Sequence, residues 1–269
     1  MITYRDLVNG FARLEIPRET PVIIHSSLSS LGSVNGGAKT VVGAILSAWQ
    51  SILMPAFTYR ARLIPEQGPE NNGIRYGSGM EINRLNIPFR PDLPVDRMIG
   101  AIPETMRTLP GSLRSNHPLL SFTAMNGEIF LDAQSLQEPL GPIRLLYEQA
   151  GWVILLGVDH TANTSIHLAE RLAGRKQFIR WATISSKVVE CYNFPGCSDG
   201  FYKAASLLEP ITRKVALGNT QVLALPLKEM IPLLIVRIKR DPFALLCDRA
   251  DCERCSSVRN VIRHRADTR

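Results

Sequence analysis

Apolar residues along this chain come in two rhythms. Short near-continuous runs at 21–28 "PVIIHSSL", 51–57 "SILMPAF" and 152–159 "WVILLGVD" predict buried strands. Between them, 38–49 "AKTVVGAILSAW", 95–109 "VDRMIGAIPETMRTL", 143–150 "IRLLYEQA" and 165–174 "SIHLAERLAG" space their apolar positions three and four apart, as helices do. Residues 1–16 predict an amphipathic helix. The segment 178–194 is strand-rich, 201–211 is helical, and "TQVLALPL" and "LLIVRIK" (220–227 and 233–239) read as two more strands. This alternation predicts an α/β fold, a layered mixed sheet flanked by helices. Residues 58–95, dense in Gly, Pro and Asn, interrupt the pattern as an irregular insertion of the kind that usually serves function. The whole of 1–269 reads as one domain, with a Cys/Arg-rich tail from 246 to 269 whose basic end, "RNVIRHRADTR", is compatible with a solvated tail.

Composition narrows the class. At 45% hydrophobic and 20% charged, the 269 residues are those of an ordinary globular enzyme or binding protein. No apolar run approaches the roughly 18 residues of a membrane span, and residues 1–16 lack a signal-peptide core, so the expectation is a cytoplasmic protein with no membrane partner. A net charge of +7 favours anionic partners. Aromatics make up only 7% and do not interleave with the basic residues, which argues against a nucleic-acid platform. Oligomeric state is not legible.

Four stretches carry candidate chemistry. The loop 25–37, "HSSLSSLGSVNGG", leaves a strand and enters a helix, where free N–H groups and the helix dipole attract anions. It matches neither a P-loop nor a dinucleotide fingerprint, and a plain Ser/Gly connection is equally compatible with it. In 100–121, Glu104 and Arg107 stand one helical turn apart, as any surface pair does. His117, held extended by Pro118, suits a general base, a substrate ligand or an exposed loop residue. In 159–170, "DHTANTSIHLAE", a helix capped by Asn163 or Thr164 puts His167 in its first turn, where the dipole favours neutral imidazole. Glu170 follows on the same face, and Asp159 sits at the strand's C-terminal rim. Finally, Cys247, Cys252 and Cys255 form C-x4-C-x2-C, with Cys191 and Cys197 upstream. The count suffices for zinc, but no clean pair of CxxC knuckles exists, so the expectation is free thiols and no metal.

Taken together, "VIIHSSLSSLG", "GGAKTVVGAIL", "LMPAFTY", the long run 93–127, "LLGVDHTANTSIHLAE" and "FPGCSDGF" resemble the aminoglycoside 3-N-acetyltransferase family, across roughly residues 4 to 245. The resemblance implies the antibiotic N-acetyltransferase fold, distinct from the GCN5-related one, a link to antibiotic resistance, and an acetyl-CoA-dependent N-acetyltransferase that transfers directly to the amine of a small molecule. It implies that His25, Ser26, Ser27, Leu28, Leu31, Gly32, Gly36 and Gly37 contact the CoA. It also implies that His117, Asp159, His167 and Glu170 surround the acceptor amine. We assign His167 as the base, Glu170 and Asp159 as orienters or amine ligands, and Glu104 with His117 as supporting or substrate-contacting groups. The insertion would form the acceptor side. It holds Arg60, Arg62, Arg75, Arg84 and Arg90 against Glu66, Glu70, Glu81 and Asp92. That balance points away from a polycationic acceptor toward an amino sugar or a smaller, anionic amine. A CoA-binding protein without catalysis is the alternative.

Overall fold

The computed structural model describes residues 1–267. Ten strands are β1 (Val22–Ser26), β2 (Ile52–Pro55), β3 (Arg62–Leu63), β4 (Leu113–Arg114), β5 (Phe122–Met125), β6 (Trp152–Leu156), β7 (Phe178–Ile184), β8 (Lys187–Phe194), β9 (Arg213–Leu217) and β10 (Thr220–Pro226). Seven of them form a mixed sheet in the order β4-β5-β2-β1-β6-β10-β9. At its centre β2, β1 and β6 run parallel, and the outer pairs are antiparallel. The other three, β3-β7-β8, make a small antiparallel sheet.

The helices are α1 (Tyr4–Ala12), α2 (Leu28–Leu31), α3 (Gly37–Ala48), α4 (Met80–Arg84), α5 (Ala101–Arg107), α6 (Glu128–Asp132), α7 (Gly141–Glu148), α8 (Ser165–Leu172), α9 (Ala205–Leu208), α10 (Leu227–Arg240) and α11 (Glu253–Asp267). Strand alternation sorts two cores onto the two faces of the large sheet. Val22, Ile24, Ile52, Met54, Ile154 and Leu156 pack with α1, α3 and α5. Ile23, Leu53, Val153 and Leu155 pack with α7, α8 and α10. The chain leaves β1 for β2 on one side, while β6 pairs on the other. The C-terminal ends of β1 and β6 therefore diverge at a topological switch point, where open α/β sheets hold ligands.

The segment 58–95 is irregular but firmly fastened. Asn72 bonds both backbone groups of Ile179 (2.8 and 3.0 Å), and Asn83 does the same for Ile64 (both 2.8 Å), so amide side chains substitute for strand pairing. Arg114 reaches across to the carbonyls of Pro91 and Leu93.

Three expectations need correction. "LLIVRIK" is the end of α10, not a strand: Met230, Ile231, Leu234 and Ile238 are buried, whereas Leu233 and Val236 face out, which is helical spacing. The helix expected over 95–109 begins only at Ala101, because Gly100 at φ 99° breaks the backbone there. The C-terminal segment is helical rather than a loose tail: α11 buries Cys255, Ser257 and Val258, its basic end is half-buried or exposed from Arg259 to His264, and the last two residues of the predicted tail lie outside those described. Among the described residues, no helix is long and apolar enough to cross a membrane.

Candidate active site

A cleft of about 1360 Å³ opens at the switch point. The ends of β1 and β2 with the residues after them (His25 to Ser29 and Gly32; Pro55, Phe57 and Tyr59) line it, as do Val158, Thr161, Ala162 and Thr164 after β6, together with His167. Its far wall comes from β3, β7, the end of β8 and the start of α11.

His167 sits in the first turn of α8, whose entry is steadied by Asn163: its Oδ1 accepts from the Ser165 N–H at 3.1 Å. The N-cap residue itself is Thr164, whose side chain makes no capping bond; the residue before it, Asn163, takes up the first N–H instead. One turn on, Glu170 Oε2 lies 2.7 Å from His167 Nδ1. The carboxylate's other oxygen accepts from Arg175 Nη1 at 2.5 Å. Arg175 in turn donates from Nη2 to the carbonyls of Pro242 and Ala244 (2.8 and 2.7 Å), which fixes its guanidinium against Glu170. Burial alone would raise the Glu170 pKa. The hydrogen bond from His167 and the His167 and Arg175 charges outweigh it and hold the carboxyl below its ordinary value. An ionised Glu170 keeps a proton on Nδ1, so in the neutral ring Nε2 is the acceptor, and in the protonated ring Glu170 faces the charge. The edge of the Phe201 ring packs on the imidazole at 4.7 Å between centroids, fixing its plane. Sequence reasoning missed Arg175 and Phe201. Arg175 stands just past Gly174, the glycine that ends the helix, and a basic residue there is a readable helix-terminal signal.

The other predicted residues are placed differently. His117 lies behind the cleft wall. Its Nδ1 accepts from the Leu119 and Leu120 N–H groups (3.2 and 3.0 Å), so the ring staples the turn that carries Leu120 into the cleft. Burial pushes its pKa down to about 4. Glu104 is not at the cleft: it forks onto Arg107 (2.6 and 2.9 Å) and accepts from the Val95 N–H at 3.0 Å, clamping the approach to α5. Asp159 caps the 3-10 turn His160–Ala162, accepting from the Thr161 N–H at 2.9 Å, and it is solvent-exposed.

Of the loop residues, His25, Ser26, Ser27, Leu28 and Gly32 line the cleft. Leu31 is buried in the core, and Gly36 and Gly37 are outside the lining. The cause is local. The short helix α2 intervenes after β1, and the strand-like bridge of Ile2 to Val34 then draws the chain away before α3 begins. His25 is neutral, its pKa pushed to about 3 by burial, and its Nε2 has no partner.

The charge of the cleft is unbalanced. Arg62, Arg75, Arg97, Arg180, Arg249 and Arg254 line it, against Asp199, Asp251 and Glu253. Asp199 and Asp251 both pair with Arg249 (3.0 and 3.2 Å). Arg62, Arg180 and Arg254 repel one another. Burial, then Arg254 and Arg62, bring the Arg180 pKa down to about 9, and burial with Arg254 lowers that of Arg62, whose Nε has no partner. Arg180 is held in this position by the faces of Phe178 and Phe194 and by the carbonyls of Asn72 and Ile179.

The profile described as Aminoglycoside 3-N-acetyltransferase matches residues 23–237. The chain belongs to the aminoglycoside 3-N-acetyltransferase family. Within that family it is 33% identical over 193 residues to the SPbeta prophage-derived aminoglycoside N(3')-acetyltransferase-like protein YokD of Bacillus subtilis (strain 168), covering 68% of this chain and 70% of YokD. The crystal structure of YokD superposes with a TM-score of 0.77 at 26% identity, over 90% of this chain and 94% of that one. Aminoglycoside N(3)-acetyltransferase III of Salmonella sp is 26% identical, over 74% of this chain and 77% of the enzyme. AAC-IIIb, solved as a binary complex with CoASH, shares the fold at a TM-score of 0.72 and 21% identity, over 88% and 96% of the two chains. Members of the aminoglycoside 3-N-acetyltransferase family are acyltransferases, and the mixed sheet with its flanking helices is the family's fold.

Proposed function

We propose that this acetyltransferase moves an acetyl group from acetyl-CoA to the amine of a small acceptor by direct transfer, with His167 as the base. The carrying observation is the buried relay Arg175–Glu170–His167, which ends at an imidazole face in the cleft. The acceptor nitrogen attacks the thioester carbonyl while Nε2 of His167 takes its proton. The C–S bond then breaks, and the departing CoA sulfur regains a proton, giving amide and free CoA. Glu170 holds the Nδ1 tautomer and stabilises the imidazolium as it forms. Arg175 keeps Glu170 ionised.

The cofactor takes the half of the cleft between residues 25–32 and 97–103. Ser26 O lies 3.8 Å from where a side chain on Gly100 would begin, so those two segments form one narrow wall. The acceptor takes the other half, facing Arg62, Arg180 and Arg254. Three mutually repelling guanidinium groups fit an amine that also carries a carboxylate or phosphate better than a polycation. His117 and Glu104 act by shaping the wall, and Asp159 by shaping the turn before α8.

A free-CoA release assay across aminoglycosides, amino sugars, amino acids and phosphorylated amines tests both statements. Release with an anionic amine above that with gentamicin or kanamycin is the expected result. Preference for the aminoglycosides overturns the acceptor assignment, and absence of release with every amine supports the alternative of a CoA-binding protein without catalysis.

A further inference from the structure

Four of the five cysteines converge although they come from three separate segments. Cys197 is on the loop after β8, Cys247 is in the connection between α10 and α11, Cys252 directly precedes α11, and Cys255 is in its first turn. Their sulfurs all lie within 4.8 Å of one another, and all four residues are buried. A tetrahedral zinc with Zn–S of about 2.3 Å needs sulfurs roughly 3.8 Å apart, so a contraction of about 1 Å or less seats the ion. Cys191, the fifth, is buried within β8 and outside the group.

The backbone around the sulfurs is arranged for thiolates. The Asp199 N–H donates to Cys197 Sγ at 3.4 Å, and the Arg249 N–H donates to Cys247 Sγ. In both cases the donor is two residues past the cysteine, which is how a turn wraps a metal-bound sulfur. A tetrathiolate zinc carries two net negative charges, and cations ring this site. Arg254 Nη1 donates to Gly196 O at 2.9 Å, Lys203 Nζ to Leu246 O at 2.9 Å, and Arg259 to Cys247 O. The two loops touch so closely that a side chain on Gly200 would stand 2.4 Å from Leu245 O and 2.7 Å from Cys247 N.

We propose that Cys197, Cys247, Cys252 and Cys255 bind one structural Zn²⁺. With four protein sulfurs the ion has no open position for chemistry. Its work is to fasten the start of α11 to the β8 loop, which sets Arg249, Asp251, Glu253 and Arg254 in the cleft wall. The separation that hid the site in the sequence is simple: Cys197 lies 50 residues before Cys247.

Elemental analysis of the purified full chain should give one zinc per chain. On native protein, thiol alkylation read by peptide mass should spare these four cysteines, and a zinc chelator should expose them together and lower the melting temperature. Cys255→Ser should lose the metal, whereas Cys191→Ser keeps it. Should Cys255→Ser not fold, the metal content and chelator-dependent alkylation of the unmutated chain carry the test. Metal-free protein whose four thiols react alike with and without chelator overturns the proposal. So does a disulfide within the group, or iron in place of zinc.

Discussion

At the scale of single residues, the relay through His167 makes unequal demands on its members. His167→Ala removes the proton acceptor and should lower kcat by roughly 10²- to 10⁴-fold while CoA still binds. The acidic limb of its kcat/KM–pH profile should vanish with it. Glu170→Gln keeps the acceptor and loses only charge and orientation, so it should cost less. Arg175→Met strands a buried carboxylate and should destabilise the fold by about 3–5 kcal/mol in urea titrations. A stable Arg175→Met protein with unchanged kcat would separate Arg175 from the relay. His167 and Glu170 were readable because a helix start and an i,i+3 spacing put them together on one face. Arg175 was not, because its partnership depends on how the chain turns after Gly174 and on the carbonyls of Pro242 and Ala244, far along the sequence. Glu104 and Asp159 illustrate the reverse. Their positions were legible, but whether a carboxylate faces the cleft or its own backbone is a matter of tertiary geometry.

At the scale of elements, β1, α3 and β2 were legible because short apolar runs and helical spacing coincide with turn residues. Misreading α10 came from a dense apolar run in its second half; its partners Leu227, Met230 and Ile231 lie across Pro232, which reads as a breaker yet sits in the helix's second turn at the loss of one hydrogen bond. The same logic limits the phosphate-loop idea. The interposed α2 keeps Gly36 and Gly37 out of the cleft, so Gly32 bears the test. It adopts φ 77° and ψ −144°, a region nearly exclusive to glycine, and nothing lies within 4 Å of where a Cβ would be. Gly32→Ala should cost stability of about 1–3 kcal/mol from backbone strain alone. Gly32→Asp should share that loss and additionally weaken CoA binding through charge beside the phosphates. Equal CoA affinities for the two variants, measured by calorimetry, would take residue 32 out of the cofactor site.

Across the whole molecule, buried histidines tie stability to pH. His25 and His117 are 5% and 3% exposed, and burial lowers their pKa values from 6.5 to about 3 and about 4. In the unfolded chain both rings take up protons near 6.5, whereas the folded protein refuses them until pH 4 or below. The unfolded state therefore binds more protons as the solution is acidified. The stability these two neutral rings contribute is complete above pH 6.5 and is lost as pH falls, at about 1.4 kcal/mol per pH unit for each histidine. Glu170 acts in the same direction lower down: its pKa is depressed below 4.5, so its share is lost as pH drops beneath that value. Denaturant titrations between about pH 7 and pH 5 should show stability falling steeply with acid well before carboxylates protonate. His117→Asn leaves an oxygen to accept from Leu119 and Leu120 and removes one titrating ring, so its slope should be shallower by about one proton's worth. A flat profile in the unmutated protein would mean that these rings are protonated, or wet, in the folded state. That result would also remove the dry wall on which the cleft's electrostatics depend.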